Sequence, residues 1–186
     1  MEKEIIKSTL TLKQGNLILL PTDTIWGIAC DATNELSIEK IYKLKKRKES
    51  KTFICLVSDI NSLEQIVGSI SKKIKNIILN ELKPTTIVYK FGKNLPKLLF
   101  SSDGSIAIRV VKDKFCRELI SKLGKPIIAT SANESGKKNP ISFDQINPKI
   151  IQGVNYIVNL KQDEILKAHS RIISFDLNEK LIELRK

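Results

Sequence analysis

The chain has 186 residues, of which 41% are hydrophobic and 28% charged, and its formal net charge at pH 7 is +12. This length and composition favour one domain, residues 1–186, with a substantial core, and no window approaches the roughly 18 uninterrupted apolar residues of a membrane span. The charged N-terminal segment lacks a signal-peptide core, so we expect a cytoplasmic protein with no membrane partner.

Short apolar runs and helical periodicities alternate along the chain. The apolar runs predict buried strands at about 16–20, 53–57, 86–90, 105–109 and 126–130. Helices are predicted at about 34–46, 61–67, 71–82 and 113–124, with Asn34 and Asp113 as N-caps and Gly124 as the terminator of the last. Ser142 and Gln145 have the spacing of a capping box for a short helix. Alternation at 156–160, 171–176 and 181–184 predicts further strands, and the mixture predicts an α/β fold built on a twisted mixed sheet with flanking helices.

Metal and redox chemistry have little support in the sequence. Cys30, Cys55 and Cys116 are odd in number and far apart, as buried structural cysteines often are, and His169 is the only histidine. A zinc site or a catalytic histidine couple is therefore disfavoured. From the same residues we expect no metal site formed by the protein. Neither a dinucleotide-binding glycine motif nor a P-loop occurs, so we expect no NAD.

Residues 129–136 are the most informative stretch. An apolar strand opens there into Ala-Thr-Ser-Ala-Asn-Glu-Ser-Gly, which presents hydroxyls, an amide and backbone N–H groups at the edge of a sheet. Ligands bind at such edges in open α/β sheets. Ser131 and Asn133 are candidate contacts to a nucleotide, although the same residues also suit a simple polar loop.

Cations stand at and after the C-terminal end of the first predicted helix, at about 34–46. Lys45, Arg47 and Lys51 are candidate contacts to a triphosphate, whose oxygens need fixed positive charge. A lysine-rich helix end that merely complements the helix dipole in solvent is the alternative.

Two further segments could bind a small anion. Thr22 and Thr24 lie in Pro21-Thr-Asp-Thr24, which is either a turn or a recognition segment, and Trp26-Gly27 could put a flat wall and open backbone beside a ligand. Arg109 ends an apolar strand, where an arginine needs an anionic partner. That partner is either a carboxylate of the protein or a carboxylate of the substrate.

Taken in order, these segments resemble the YrdC/TsaC family of threonylcarbamoyl-AMP synthases. The matching pieces are Pro21–Gly27, Leu44–Arg47 with Lys51, Pro84–Thr86, Ile106–Val110 and Gly124–Gly136, within about residues 10–176. The combination of Lys-x-Arg and Ser-x-Asn behind Pro-Thr-Asp-Thr is specific, whereas each part alone is weak. The length resembles that of the short bacterial type, which lacks an extra C-terminal domain.

The resemblance implies a fold, a reaction and a set of residues. The fold is one α/β domain around a basic cavity, and the reaction converts L-threonine, bicarbonate and ATP, with Mg²⁺, into threonylcarbamoyl-adenylate and pyrophosphate. A tRNA threonylcarbamoyl transferase complex uses the product to modify adenosine 37 of tRNA. By this resemblance Lys45 and Arg47 are catalytic, and the residues that share ATP binding are Lys45, Arg47, Lys51, Ser131 and Asn133. Threonine would be bound by Thr22, Arg109 and Thr130.

Two other functions remain open. The charge of +12 also suits a non-catalytic RNA- or ribosome-binding module of the same fold. Its lysines are dispersed and only 5% of its residues are aromatic, however, so we expect weak, non-specific RNA binding. A paralogue that acts on another carbamoyl or nucleotide substrate is the second alternative.

Overall fold

The computed structural model describes residues 1–48, 52–166, 169–176 and 178–185. Within these ranges the chain forms six α-helices: α1 Glu2–Lys13, α2 Glu35–Lys45, α3 Ile60–Val67, α4 Lys72–Asn80, α5 Lys114–Leu123 and α6 Pro148–Gln152. The strands are β1 Ile18–Leu20, β2 Gly27–Asp31, β3 Ile54–Val57, β4 Thr85–Tyr89, β5 Ile106–Val110, β6 Ile127–Ser131, β7 Tyr156–Ile157, β8 Arg171–Phe175 and β9 Leu181–Arg185.

All of these strands belong to one sheet in the order β7-β1-β2-β6-β3-β5-β4-β8-β9. The pairs β1/β7, β3/β5 and β4/β8 are parallel, and the other neighbouring pairs are antiparallel. The predicted α/β class with a mixed sheet and flanking helices is therefore confirmed.

Each face of the sheet buries its own apolar cluster. On one face, α2 and α3 contribute Ile38, Ile41, Leu63 and Ile66, while α4 packs its partly buried isoleucines against the same cluster. On the other face, α1 and α5 pack against a second cluster that includes Leu56 and Ile127. The strands in the middle of the sheet are buried on both sides, which explains why they appear in the sequence as short apolar runs.

Three helix ends lie where the sequence predicted them. The side chain of Asn34 accepts a hydrogen bond from Ser37 N, and that of Asp113 accepts one from Cys116 N at 2.9 Å. Gly124 follows α5 in the left-handed conformation (φ 71°), which favours glycine.

Two elements have no counterpart in the sequence prediction. Helix α1 buries positions 5, 8, 9 and 12, which is helical spacing, but two of the four are serine or threonine and so disguise the apolar stripe. The buried hydroxyl of Thr9 has a hydrogen-bond partner within the helix, because it donates to Ile5 O. Strand β2 begins at Gly27 and ends at Asp31, and glycine and aspartate are both depleted in strands. Only three apolar residues lie between them, so the apolar run is too short to predict a strand.

The predicted capping box was wrong. Residues Phe143–Gln145 form a single 3₁₀ turn, and Ser142 makes no side-chain cap. The amide oxygen of Gln145 instead accepts from Ile141 N, and the α-helix begins later, after Asn147, whose side chain accepts from Lys149 N. None of the helices in the described ranges is long and apolar enough to cross a membrane.

Candidate active site

A cavity of about 200 Å³ opens beside the second apolar cluster, to which its lining residues Ile54 and Ala129 also belong. Its polar lining combines cationic side chains with hydroxyls. The cationic or basic residues are Arg47, Arg109, Arg185 and His169, and the hydroxyl residues are Thr22, Thr24, Thr52, Thr130, Ser131 and Ser170. Among the described residues no aspartate or glutamate lines it. The cavity is therefore suited to an anionic ligand.

Thr22 and Thr24 form a rigid hydroxyl pair at one wall. The hydroxyl of Thr22 donates to Ile25 O at 2.8 Å, and its oxygen lies 2.8 Å from that of Thr24. Because the proton of Thr22 is already donated, Thr24 is the donor within the pair. Gly27 follows, where an added Cβ would lie 3.3 Å from Thr130 O, so a larger residue would press on the strand end that lines the cavity.

Trp26 does not form a wall of the cavity, and that prediction was wrong. Its side chain is fully buried and packs against Phe143 at a ring-centroid distance of 5.1 Å. In a strand, successive side chains point to opposite faces. The residue before Gly27 consequently faces the first apolar cluster and not the cavity.

Lys45 lies beneath the cavity and is not one of its lining residues. It is only 1% exposed, and its ammonium donates to the backbone oxygens of Ser131 and Asn133 and, at 3.2 Å, to Asn133 Oδ1. In return, Ser135 N donates to Lys45 O at 2.8 Å. These contacts tie the end of α2 to the loop after β6, so Lys45 and Asn133 hold the loop that presents Ser131.

Burial, followed by the nearby charge of Arg47, lowers the pKa of Lys45 from 10.5 to about 7. Between these pH values the unfolded chain carries a proton that the folded protein lacks, so stability should rise with pH in this window. We predict that the free-energy difference between wild type and Lys45→Met shifts in favour of wild type by about 1 kcal/mol per pH unit from pH 7 to 9. Urea unfolding at pH 6, 7, 8 and 9 measures it.

Lys43→Met provides the control for replacing a lysine by methionine, since Lys43 lies on the same helix with an exposed side chain. A constant difference for Lys45→Met would contradict the lowered pKa. It would show that the three oxygen acceptors keep the ammonium charged.

Arg47 lines the cavity directly. Its Nη2 donates to Thr52 O at 2.8 Å, and its guanidinium lies over the ring of Phe53 at 4.9 Å. Burial lowers the pKa of Arg47 below its ordinary value, but an arginine remains charged. Lys51, predicted as a further cation, lies outside the described residues.

Arg109 has a carboxylate of the protein as its partner. Its Nη2 lies 3.0 Å from Asp23 Oδ1, and the side chains of both residues are largely buried. The sequence left open whether this partner would be structural or a substrate group. The structure supplies a structural one and also exposes Arg109 to the cavity.

Arg185 was missed by the sequence analysis, and a β-bulge explains why. Ile173 pairs with Glu183, whereas Ile172 pairs with Arg185, so Leu184 is an extra residue in β9. In a regular strand without the bulge, Arg185 lies two positions after Glu183 and would share its face. The bulge turns Arg185 to the face of the cavity, and no local sequence signal marks a bulge at this position.

Ser170 fixes the position of Arg185. Nη2 of Arg185 donates to Ser170 O at 2.8 Å and lies 3.0 Å from Ser170 Oγ, and Thr86 Oγ1 lies 2.9 Å from that hydroxyl. Burial, followed by the charge of Arg109, lowers the pKa of Arg185. The two guanidinium groups therefore repel each other, and an anion between them would relieve the repulsion.

The three cysteines are buried and free. Burial raises the pKa of Cys55 to about 12 and that of Cys30 and Cys116 well above the ordinary value. Within the part of the chain that the structure describes, no group of three or more His, Cys, Asp or Glu residues could hold a metal ion.

Comparison with known proteins finds both sequence relatives and similar folds. The Sua5/YciO/YrdC family model, described as telomere recombination, matches residues 10–186. A relative from Methanocaldococcus jannaschii is 30% identical over 188 residues, which cover 100% of this chain and 83% of that protein, and its name gives threonylcarbamoyl-AMP synthase as a provisional assignment. A threonylcarbamoyl-AMP synthase from Pseudoalteromonas translucida is 28% identical over 162 residues, covering 85% of this chain and 87% of the relative.

Three solved structures share the fold. P. abyssi Sua5 complexed with L-threonine has a TM-score of 0.83 at 22% identity, and the match covers 100% of this chain and 54% of Sua5. The chain thus spans about half the length of Sua5. E. coli YciO has a TM-score of 0.81 at 18% identity, and the match covers 100% of this chain and 90% of YciO. Full-length HypF in a phosphate- and nucleotide-bound form has a TM-score of 0.85 at 18% identity, and the match covers 98% of this chain and 28% of HypF.

Proposed function

Since the chain belongs to the Sua5/YciO/YrdC family, we propose that it is a threonylcarbamoyl-AMP synthase. In this reaction L-threonine and bicarbonate form a carbamate with loss of water, and the carbamate attacks the α-phosphorus of ATP and displaces pyrophosphate. The observation that carries the proposal is the convergence of Arg47, Arg109 and Arg185 on one hydroxyl-lined cavity. The ATP and the threonine together bring several negative charges, which these three cations can offset.

The geometry suggests how the ligands divide the cavity. Arg47 lies beside Ser131 and the loop that Lys45 holds, so we assign this side to the phosphates of ATP. Arg109 and the hydroxyl pair of Thr22 lie at the other strand ends, so we assign this side, with Thr130, to threonine. Arg185 can contact the anionic group formed between them, either the carbamate or the α-phosphate.

The size of the cavity limits what it can enclose. Sites for larger ligands usually measure about 300–1,000 Å³, whereas this cavity has about 200 Å³. It can hold the threonine carbamate and the reacting phosphates, while the adenosine extends toward the open side. The enclosed part is the part where the bonds form and break.

The chemistry needs positioning and charge neutralisation more than a proton acceptor. A threonine carbamate is already an anionic oxygen nucleophile, so its attack on phosphorus requires alignment and fixed cations. Lys45 then acts as a positioning residue, because its ammonium is directed at the backbone of the Ser131–Asn133 loop. This assignment revises the direct phosphate contact that the sequence resemblance implied for Lys45.

Mg²⁺ would accompany the triphosphate. It is usually held by substrate phosphate oxygens and water, with one or two carboxylates, and it offsets charge on the triphosphate. The described lining residues include no carboxylate, so phosphate oxygens and water would hold the ion, and the hydroxyls of Thr52 and Ser131 could contact its water ligands. Neither zinc nor NAD has a role in the proposed reaction.

A coupled assay of pyrophosphate release tests the proposal. The purified protein should release pyrophosphate from ATP and Mg²⁺ only when both L-threonine and bicarbonate are present. Release that is equally fast without threonine, or no release in the complete mixture, would contradict it.

A paralogue with the same cavity but another carbamoyl or nucleotide substrate is the second candidate. The observation that favours it is the fold that the chain shares with HypF and YciO. Carbamoyl phosphate in place of threonine and bicarbonate distinguishes the two functions. Release of pyrophosphate from ATP with carbamoyl phosphate, in the absence of threonine and bicarbonate, would favour the paralogue.

The partner that consumes the product would be a tRNA threonylcarbamoyl transferase complex, and tRNA itself need not enter the cavity. The chain carries 32 Lys and Arg against 20 Asp and Glu. We therefore predict weak binding of tRNA that falls steeply with salt and does not depend on sequence. A salt titration with a cognate tRNA and an unrelated RNA of equal length measures this, and a tight, discriminating complex at physiological salt would favour an RNA-binding module.

A further inference from the structure

The ion pair between Asp23 and Arg109 is buried at the wall of the cavity. Arg109 is only 4% exposed and lies on β5, in the middle of the sheet, while Asp23 lies in the segment between β1 and β2. Their contact of 3.0 Å joins Arg109 Nη2 to Asp23 Oδ1. A buried guanidinium without a counter-charge is strongly unfavourable, and the nearby charge of Arg185 increases that cost.

The pair lacks hydrogen-bond alignment. Within the described residues, Asp23 Oδ1, Asp23 Oδ2 and Arg109 Nε are buried and make no hydrogen bond. The contact therefore attracts by charge, without the bidentate geometry that locks an arginine onto a carboxylate. Arg109 is held in place and keeps donor capacity, since a guanidinium has five N–H groups.

We infer that Asp23 is a positioning residue for substrate binding: it compensates Arg109 while the cavity is empty and holds the guanidinium where the α-carboxylate of threonine can accept hydrogen bonds from it. Polar contacts of this kind are often misaligned without ligand and tighten in the complex. The identity of the carboxylate rests on the proposed function, whereas the pairing of Asp23 with Arg109 does not.

The variant Asp23→Asn tests this inference because it keeps the size of the side chain and removes the charge. We expect the dissociation constant for L-threonine, measured by calorimetry, to rise about ten- to a hundredfold. The KM for ATP and the turnover at saturating threonine should stay within about threefold of wild type. A purely structural ion pair would instead lower the melting temperature and the active fraction while leaving threonine affinity unchanged, and this result would overturn the inference.

Asp31→Asn provides a matched control. Asp31 is also buried and lies 3.0 Å from a cation, Lys125, but at the opposite end of β2 and outside the cavity lining. It should lower stability without changing the affinity for threonine. An equal loss of affinity in both variants would overturn the specific role of Asp23.

Two further arms separate the possible failures. If Asp23→Asn does not fold, Asp23→Glu replaces it, because it retains the charge and displaces the guanidinium by the length of one methylene. Threonine should then bind more weakly than to wild type. Unchanged affinity would overturn the inference. Wild-type protein that binds no threonine would overturn the proposed function, and with it this role for Asp23. If the wild type binds threonine and Asp23→Asn binds it equally well, the inference about Asp23 is overturned while the proposed function stands.

Discussion

Replacing Arg47 with alanine should lower the turnover of the synthase reaction about 30- to 1,000-fold, which corresponds to about 2–4 kcal/mol of lost transition-state stabilisation. The variant should remain folded, because losing the contacts of Arg47 with Thr52 O and the Phe53 ring costs about 2–4 kcal/mol, less than the roughly 5–15 kcal/mol by which domains are usually stable. Steady-state kinetics of pyrophosphate release and urea unfolding measure the two effects separately.

Lys43→Ala is the matched control for this variant. Lys43 carries the same charge near the same end of α2, but its side chain is exposed and pairs only loosely with Glu39 at 3.9 Å. It should retain wild-type turnover. Near wild-type turnover in Arg47→Ala would contradict the assignment of Arg47 to the phosphates of ATP.

Replacing Arg109 with alanine should both destabilise the protein and strongly weaken threonine binding. The change leaves the carboxylate of Asp23 buried without its partner, which costs about 3–5 kcal/mol. It also removes the proposed donor to the threonine carboxylate, so kcat/KM for threonine should fall at least about a hundredfold. Unfolding experiments and threonine calorimetry measure these losses.

The double variant Arg109→Ala/Asp23→Ala separates the two effects. Removing the orphaned carboxylate should restore part of the stability but none of the threonine affinity. Arg171→Ala is the control. Arg171 lies on β8, pairs with Glu81 and Glu183 and does not line the cavity, so its loss should leave threonine affinity unchanged. Threonine affinity that survives in Arg109→Ala would contradict the assignment of this side of the cavity.

Lys45 and Arg47 illustrate which part of the site the sequence could predict. Their spacing suggested a single cationic cluster, but residues two apart on a helix point in different directions, and the chain leaves the helix at Lys46 in a left-handed conformation (φ 48°). Lys45 is directed inward because Ser131 O and Asn133, 86 and 88 positions away, accept its protons. Such a long-range partner has no signature near the lysine.

The strands and helix caps were more accessible to sequence analysis than the site. Asn34, Asp113 and Gly124 act through residues at most four positions away, so their roles follow from local patterns. Arg109 could be recognised as needing an anion, but its partner comes from a different segment, and Arg185 reaches the cavity only because the pairing of β9 with β8 shifts by one residue at the bulge. Tertiary packing and one irregularity in strand register decide these positions.

Isotope labelling of the product tests the central claim most directly. The protein is incubated with ATP, Mg²⁺, L-threonine and ¹³C-bicarbonate, and the mixture is examined by mass spectrometry at early times. The proposed synthase predicts threonylcarbamoyl-adenylate whose mass exceeds that of the unlabelled product by one unit, because the carbamoyl carbon derives from bicarbonate. ATP consumption without this adenylate, or an adenylate that carries no label, would contradict the account.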